Sequence, residues 1–262
     1  EELGKSLLYS LQLALEEIDD KNVLIIPRDS GFNDTKKLNN AIKEIKSQGA
    51  NVIIGPINYE DFNEVKKFTN IVFISPSNIN PEFQNNVISI GVSLESQMIA
   101  LKKFIKKQNK KKPVILIPKN QYTDMIERKL NDMNLQDFKI FKYNPDPKVL
   151  TGEIEILTNY AQRKRNLKLR KKLFEDKEDE ESKKQLEKLE QKYTLGSVNF
   201  DSVIIIDFGS SLKSVLTSLI FTDVDQEKVL FTTVNQWFDE SIFYENTIKN
   251  LYYPSVNYKE FK

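Results

Sequence analysis

The stretch LNNAIKEIKSQGANVIIGP, residues 38–56, contains the pattern that decides the fold. One apolar face of a helix is formed by residues three or four positions apart: Leu38, Ala41, Ile42 and Ile45. Gly49 follows the last turn, as glycine commonly does where a helix ends. The continuous apolar run 52–54 is typical of a strand that is buried on both faces. A helix followed at once by such a strand indicates a βαβ unit and a parallel sheet.

The same alternation extends outward over most of the chain. Strand-like apolar runs recur at residues 23–26, 52–54, 71–74, 87–90, 114–117, 138–143, 202–207 and 229–232. Segments with helical spacing of apolar residues lie between them, at 3–18, 38–45, 59–68, 94–107, 122–133 and 212–220. We therefore predict an α/β fold with two Rossmann-like lobes, each built on a parallel sheet. Lobe one spans residues 1–93 and is completed by 255–262, and lobe two spans 94–254.

Lobe two contains a highly charged stretch at about residues 151–195. Residues 160–172 are rich in Lys and Arg, residues 175–181 are mostly acidic, and no glycine or proline lies between Gly152 and Gly196. This pattern predicts one long helix or a helical hairpin that projects from the lobe. A solvated helix pair is one interpretation, and a protein-docking arm is another. Nucleic acid is a poor fit, because the acidic block would repel a phosphate backbone.

The composition excludes several functional classes. The 262 residues include 39 basic and 38 acidic side chains, and the net charge of +1 gives no overall field that would attract nucleic acid. Cysteine and histidine are absent, so a disulfide, a zinc site with histidine or thiolate ligands and a Ser-His-Asp triad are excluded. There is no glycine-rich phosphate loop, and Asp223 with Asp225 on a predicted turn is only a weak signal for a cation. We therefore predict a protein that is not an enzyme and that carries no cofactor or metal.

Ligands of parallel α/β sheets bind beyond the carboxyl ends of the strands, and this rule selects a set of loops. These loops carry hydroxyl, amide and aromatic side chains, often just before a helix whose free N–H groups suit a carboxylate. The candidate ligand-binding residues are Ser75, Ser77, Asn78, Asn58, Tyr59, Tyr122, Phe208, Gly209, Thr233, Asn235 and Trp237. In this hypothesis Ser75 and Ser77 bind the acid group of an amino-acid-like ligand, whereas Tyr122 and Trp237 cover an apolar part. The alternative is that the polar residues only cap helices.

Two groups of proteins resemble this sequence. Segment 75–83 is similar to the Ser-Pro…Pro-Glu-Leu segment of leucine/isoleucine/valine-binding receptors, and 121–123 matches the place of their ligand-covering tyrosine. Further segments more closely resemble the penicillin-binding protein activators, or LpoA-like lipoproteins, in their order and spacing. These segments are 26–31, 49–56, 200–203, 216–220, 223–225 and 235–239. Both families have the type I periplasmic-binding-protein fold, and the resemblance covers nearly the whole chain except the charged stretch.

The resemblance implies a periplasmic protein without catalysis of its own. An activator-like protein would regulate peptidoglycan synthesis through contacts with a peptidoglycan synthase. The alternative is a solute-binding receptor that delivers amino acids or similar small acids to the permease of an ABC importer. Neither alternative implies a nucleic-acid partner. Membrane attachment is expected only through a lipid anchor upstream of Glu1, if one exists.

Two features depart from the family pattern. The fold normally begins with an apolar strand before the helix that starts here at Leu3, and the loop after that strand usually contacts the ligand. The chain also ends at Lys262, before the usual final return into lobe one. We therefore expect lobe one to be incomplete in this sequence or to be completed by residues outside it.

Overall fold

The fold consists of two α/β units, each with a parallel sheet, so the predicted fold class is confirmed. The computed structural model describes residues 2–31, 34–57, 61–77, 85–120, 122–133, 135, 138–234 and 244–255. The chain divides into a first unit, Glu1–Leu94, and a second unit, Glu95–Lys262. Of the segment 255–262 that was predicted to complete lobe one, residues 256–262 lie outside the described part of the chain.

Unit 1 has a three-stranded sheet in the order β1-β2-β3. Its strands are β1 (Val52–Ile54), β2 (Val72–Ser75) and β3 (Val87–Ser89), and its helices are α1 (Glu2–Ile18), α2 (Thr35–Ser47) and α3 (Phe62–Val65). Helix α2 begins where the Asp34 carboxylate accepts the Lys37 backbone N–H at 3.0 Å, a side-chain cap that satisfies one free donor of the first turn.

One face of the unit 1 sheet is covered and the other is open. The covered face contributes to a small core made of Leu38, Ile42, Val65, Ile71 and Phe73. The opposite face carries aliphatic side chains that remain 40–63% exposed, namely Val52, Ile54, Val72, Ile88 and Ile90. The apolar side of α1 is likewise only half buried, as at Leu11 and Leu15, and Ile18 is 71% exposed. Unit 1 therefore buries much less of its apolar surface than the sequence pattern predicts.

The strand predicted at residues 23–26 is wrong. This segment is irregular, and Val23 and Leu24 are 52% and 82% exposed. A strand is stable only when a neighbour takes up its backbone N–H and C=O groups. Among the described residues, no strand pairs with 23–26, so its apolar composition alone does not make it part of a sheet.

Unit 2 has a five-stranded parallel sheet in the order β5-β4-β6-β7-β8. Its strands are β4 (Pro113–Pro118), β5 (Lys139–Tyr143), β6 (Ser202–Ile205), β7 (Leu230–Thr233) and β8 (Leu251–Tyr252). Its helices are α4 (Leu94–Lys107), α5 (Thr123–Asp132), α6 (Pro147–Leu157), α7 (Tyr160–Glu175), α8 (Glu180–Glu190) and α9 (Gly209–Phe221). Strand β8 was not predicted from the sequence. It has two residues, too few for a recognisable pattern.

The core of unit 2 surrounds β4, in which all six residues are buried. Helices α6 and α9 supply Leu150, Ile154, Leu212 and Leu216 to this core. The part of the charged stretch up to Leu157 thus belongs to the body of the unit. The remainder forms a hairpin of α7 and α8, and none of the described helices is long and apolar enough to cross a bilayer.

Candidate functional site

A buried polar cluster lies at the carboxyl edge of the unit 2 sheet, where β5 and β6 end. The Asp207 carboxylate follows β6 and is only 8% exposed. It accepts hydrogen bonds from the Tyr143 hydroxyl, from the Ser211 hydroxyl at 2.5 Å and from the Phe208 backbone N–H at 2.8 Å. Both oxygens of this carboxylate therefore have donors inside the protein.

The cluster has a fixed protonation pattern at Tyr143. Burial, reinforced by the negative charge of Asp207, holds the pKa of the Tyr143 phenol far above its ordinary value. Tyr143 therefore remains a neutral donor to Asp207 at any physiological pH. Since Phe208 is the N-cap residue of α9, the Asp207 carboxylate also lies where a helix N-terminus attracts negative charge. An anionic ligand at this helix end would meet a carboxylate that is already in place.

Aromatic side chains follow β4 and β6, which are neighbouring strands of the sheet. Phe208 is 52% exposed, and Tyr122, the N-cap residue of α5, is half-buried. The loop after β4 is fixed to β5 by the Lys119 N–H, which donates to the Tyr143 carbonyl at 2.7 Å. Glu153 of α6 accepts from Lys119 Nζ at 3.1 Å and from the Asn144 N–H at 2.5 Å. The carboxyl edge of the unit 2 sheet thus contains polar groups that are hydrogen-bonded within the protein, and aromatic residues follow two of its strands.

The carboxyl edge of the unit 1 sheet is held together by serine hydroxyls. Ser75 is fully buried, and its hydroxyl donates to the Pro56 carbonyl at 2.6 Å and accepts the Ser77 N–H at 3.2 Å. The Ser89 hydroxyl donates to the Ser77 carbonyl at 3.1 Å. Gly91 lies so close that a Cβ there would be 2.1 Å from the same carbonyl oxygen. These contacts tie the loops after β1, β2 and β3 to one another.

The structure describes six of the predicted ligand-binding residues: Ser75, Ser77, Tyr122, Phe208, Gly209 and Thr233. The other five, Asn58, Tyr59, Asn78, Asn235 and Trp237, lie outside the described residues. Thr233 is fully buried and donates to the Ile205 carbonyl at 2.8 Å, so it links β7 to β6 near Phe208 and Gly209. The assignment of these residues to a ligand site remains a prediction.

The two central groups of the unit 2 cluster, Tyr143 and Asp207, are not among the residues predicted from the sequence. Each is the polar residue that ends a predicted strand, 138–143 or 202–207, and this position was a usable signal. Their proximity could not be inferred, because it depends on β5 and β6 both lying beside β4, which the sheet order decides.

A second candidate surface is the α7–α8 hairpin, which is attached to unit 2 through Arg163. This buried guanidinium donates to the carbonyl oxygens of Gly196, Thr222 and Asp223 at 3.1, 2.9 and 2.6 Å. It also donates to the Thr194 hydroxyl at 2.8 Å. Burial lowers the pKa of Arg163, and the Asp223 carboxylate opposes this effect. The group remains charged at neutral pH, because arginine ionises far above that range.

The two helices of the hairpin are joined by their own contacts. Leu167 of α7 and Leu189 of α8 are buried, and the Asp179 carboxylate caps α8 by accepting the Ser182 N–H at 2.8 Å. A hydrogen bond from the Ser182 side chain and, to a smaller extent, this backbone bond lower the pKa of Asp179. In contrast, Leu169 and Leu173 of α7 are 62% and 60% exposed. The hairpin therefore presents apolar side chains to solvent on a helix that is anchored at its base.

A groove of about 780 Å³ lies beside the base of the hairpin, and Arg163, Asp223 and Asp225 are among its lining residues. The Asp225 carboxylate pairs with Lys228 at 2.7 Å, and Asp223 accepts the Thr194 hydroxyl at 2.5 Å. Within the described ranges, no three acidic side chains gather around a common point as metal ligands would. Arg163, Asp223, Asp225 and Lys228 of this groove thus already have partners within the protein.

No protein-family model matches the chain, and no curated protein sequence matches it either. Among solved structures, it is similar to LpoA of Haemophilus influenzae, with 12% identity, a TM-score of 0.43 and coverage of 75% of this chain and 30% of that one. It is also similar to a branched chain amino acid ABC transporter from Thermus thermophilus with bound valine, with 9% identity, a TM-score of 0.48 and coverage of 84% and 51%. An extracellular ligand-binding receptor from Rhodopseudomonas palustris HaA2 gives 12% identity, a TM-score of 0.49 and coverage of 84% and 54%.

The chain thus spans between about a third and about half of the length of these proteins. The two groups that the sequence pattern resembles, LpoA-like proteins and branched-chain amino acid receptors, are both represented among the similar structures. At these identities and TM-scores, the similarity describes the arrangement of strands and helices and transfers no ligand, partner or site to this chain.

Proposed function

We propose that this chain is a non-enzymatic binding-fold protein that acts through contacts with another protein in the periplasm. The partner class is a peptidoglycan synthase, as the resemblance of the sequence to penicillin-binding protein activators implies. The observation that carries the proposal is the α7–α8 hairpin, an ordered arm with exposed leucines that is anchored by the buried Arg163. An anchored arm that exposes leucines offers a surface for contact with a partner protein.

The polar groups at the carboxyl edges of the two sheets are already hydrogen-bonded, and this supports the same proposal. The Ser75 hydroxyl and the Asp207 carboxylate, which lie where a small acid or amine would bind, are both buried and bonded within the protein. A solute would have to displace these internal partners, and a buried polar group that loses its partner costs about 1–3 kcal/mol. Protein contacts on an exposed arm carry no such cost.

A second candidate function is a solute-binding receptor for amino acids or similar small acids. The observation that favours it is the presence of aromatic residues at the unit 2 edge, where Phe208 follows β6 and is half exposed and Tyr122 follows the neighbouring strand β4. Aromatic side chains together with a few polar groups are the usual composition of a small-molecule site.

Two measurements on the purified chain separate the candidates. The first is biolayer interferometry against the purified periplasmic regions of the peptidoglycan synthases from the same organism, with serum albumin as an acidic control protein. The second is thermal unfolding with a panel of L-amino acids and small carboxylates. A ligand at a hundred times its Kd adds about 2.7 kcal/mol, which raises the midpoint by several degrees.

Saturable binding to a synthase, absent for albumin, with no thermal shift would support the regulator. A saturable thermal shift that is lost in Phe208→Ala, without synthase binding, would refute it in favour of the receptor. Absence of both effects would refute the regulator as well, since that proposal requires a synthase contact.

A further inference from the structure

Helix α7 carries a large excess of positive charge, which does not stabilise the helix itself. Besides the buried Arg163, its sixteen residues include six basic side chains and a single acidic one, Glu175. The basic side chains are Lys164, Arg165, Lys168, Arg170, Lys171 and Lys172. Lys164, Lys168 and Lys172 follow one another at four-residue spacing, and like charges at that spacing destabilise a helix.

These six cations have no carboxylate partners within the part of the chain that the structure describes. The only charge-related contacts they make are those of Lys164 with the Tyr160 ring and Arg170 with the Phe174 ring, among the described residues. Elsewhere in unit 2, lysines do pair, as in Lys129 with Glu95 at 2.5 Å and Lys213 with Glu245 at 2.8 Å. Ion pairs within the described residues therefore do not neutralise the positive charge of α7.

The cations border an exposed apolar pair. Leu169 and Leu173 lie one turn apart on α7 and are 62% and 60% exposed. Arg165, Lys168 and Lys172 are also exposed and fall on the side of α7 opposite its buried residues, which include Leu167. The same helix face thus offers two aliphatic anchors and adjacent cations.

The neighbouring charges decide which class of anion fits. Around the turn between α7 and α8, the seven residues 175–181 are all exposed and contain six carboxylates. An anionic bilayer or a phosphate backbone is uniformly negative, so it would be repelled by this turn while it contacted α7. Two leucines are also a narrow apolar face for insertion into a membrane. A protein segment can instead place acidic residues opposite α7 and basic ones opposite the turn.

We propose that the exposed face of α7, formed by Leu169, Leu173, Arg165, Lys168 and Lys172, binds an acidic, aliphatic-bearing segment of a partner protein. This inference rests on the proposed function and names the chemistry of the contact. The leucines supply the apolar centre of the interface, and the cations form its charged rim and speed the approach of the acidic segment. Because Arg163 and the buried leucines already fix the arm, binding costs little further conformational entropy.

The test uses three variants of the full chain against the synthase that binds in the interferometry experiment. R165E/K168E/K172E reverses the cations, and L169A/L173A removes the anchors. The control K102E/K103E/K106E makes the same charge change on the exposed side of α4 in the same unit. We expect the control to bind like the wild type, and each α7 variant to bind at least about tenfold more weakly. Added salt should weaken wild-type binding and should matter less for the charge-reversal variant.

A wild-type chain that binds the synthase, with both α7 variants binding equally well, would overturn the inference and leave the proposed function standing. If no synthase binds, the proposed function fails and the inference is tested on its own. The probe is then a synthetic alanine-based helical peptide that carries glutamates and two leucines four positions apart, with lysines at the end that would face residues 175–181. It is compared with the same peptide in which alanines replace the two leucines. Binding that needs both the peptide leucines and the α7 cations would support the inference.

Equal binding of the two peptides, or no binding of either, would overturn it. A membrane target is examined with phosphatidylglycerol–phosphatidylcholine vesicles in flotation assays. Vesicle binding that depends on the α7 cations and exceeds peptide binding would assign the face to a lipid surface and overturn the inference as well. Circular dichroism on every variant identifies a loss of binding that results from unfolding.

Discussion

Replacement of Arg163 by methionine should detach the hairpin from unit 2. Methionine keeps the aliphatic stem but removes all four hydrogen bonds, and it leaves the carbonyls of Gly196, Thr222 and Asp223 without their donor. A buried acceptor without a partner costs about 1–3 kcal/mol. Water from the adjacent groove can reach some of these oxygens, so we expect a total loss of about 3 kcal/mol in the free energy of unfolding.

The matched control is Arg165→Met, the same substitution two residues along the helix at an exposed position without an ion pair. Such surface changes usually stay within about 0.5 kcal/mol. Urea unfolding followed by circular dichroism measures the difference in free energy of unfolding between the two variants. In thermal unfolding, a loss of about 3 kcal/mol would lower the midpoint by about 6–12 °C for a unit of this size. Hydrogen exchange should also become faster in α7 and α8. Equal unfolding midpoints of the two variants would refute the anchoring role of Arg163.

Three further predictions concern the sheet edges. Tyr143→Phe should lower the free energy of unfolding by about 1–2 kcal/mol, measured in urea, because the buried Asp207 carboxylate loses a donor. Since the pKa of Tyr143 is raised in the folded state, the wild type should lose stability as the pH rises above about 10, the unfolded value, by up to about 1.4 kcal/mol per pH unit. Tyr143→Phe should show a flatter profile in alkaline urea titrations, and parallel profiles would contradict this assignment. Gly91→Ala should destabilise unit 1 by more than about 2 kcal/mol in thermal unfolding, because its Cβ would overlap the Ser77 carbonyl. Ser75→Ala should cost about 1–3 kcal/mol in the same assay, and a neutral result would contradict the linking role of its hydroxyl.

The local pattern of apolar residues correctly predicted strands that have a paired strand on both sides. The run 114–117 lies within β4, with β5 and β6 on either side, and every residue of that strand is buried. The run 23–26 has the same composition of Val, Leu and Ile, yet it is irregular and exposed. The two runs differ in their neighbours, because hydrogen bonds between strands join residues that are distant in sequence.

The candidate site shows the same division. From the sequence alone, serines, aromatic residues and a Phe-Gly pair could be assigned to the ends of strands, because the end of an apolar run predicts the end of a strand. It could not show that the Ser75 hydroxyl is occupied by the Pro56 carbonyl, or that Tyr143 and Ser211 both donate to Asp207. Whether a polar side chain is available to a ligand depends on the partners that folding brings to it.

The sequence by itself determined the α/β class, the two parallel sheets and the presence of a charged helical arm, because each follows from the local periodicity of apolar and charged residues. Only the tertiary structure decided which cation of α7 is an anchor and which ones remain for a partner. Arg163 and Arg165 are chemically identical and two residues apart, but one is buried among backbone carbonyls and the other is exposed. A helix turns by 100° per residue, so the packing of one face fixes the role of each side chain on it.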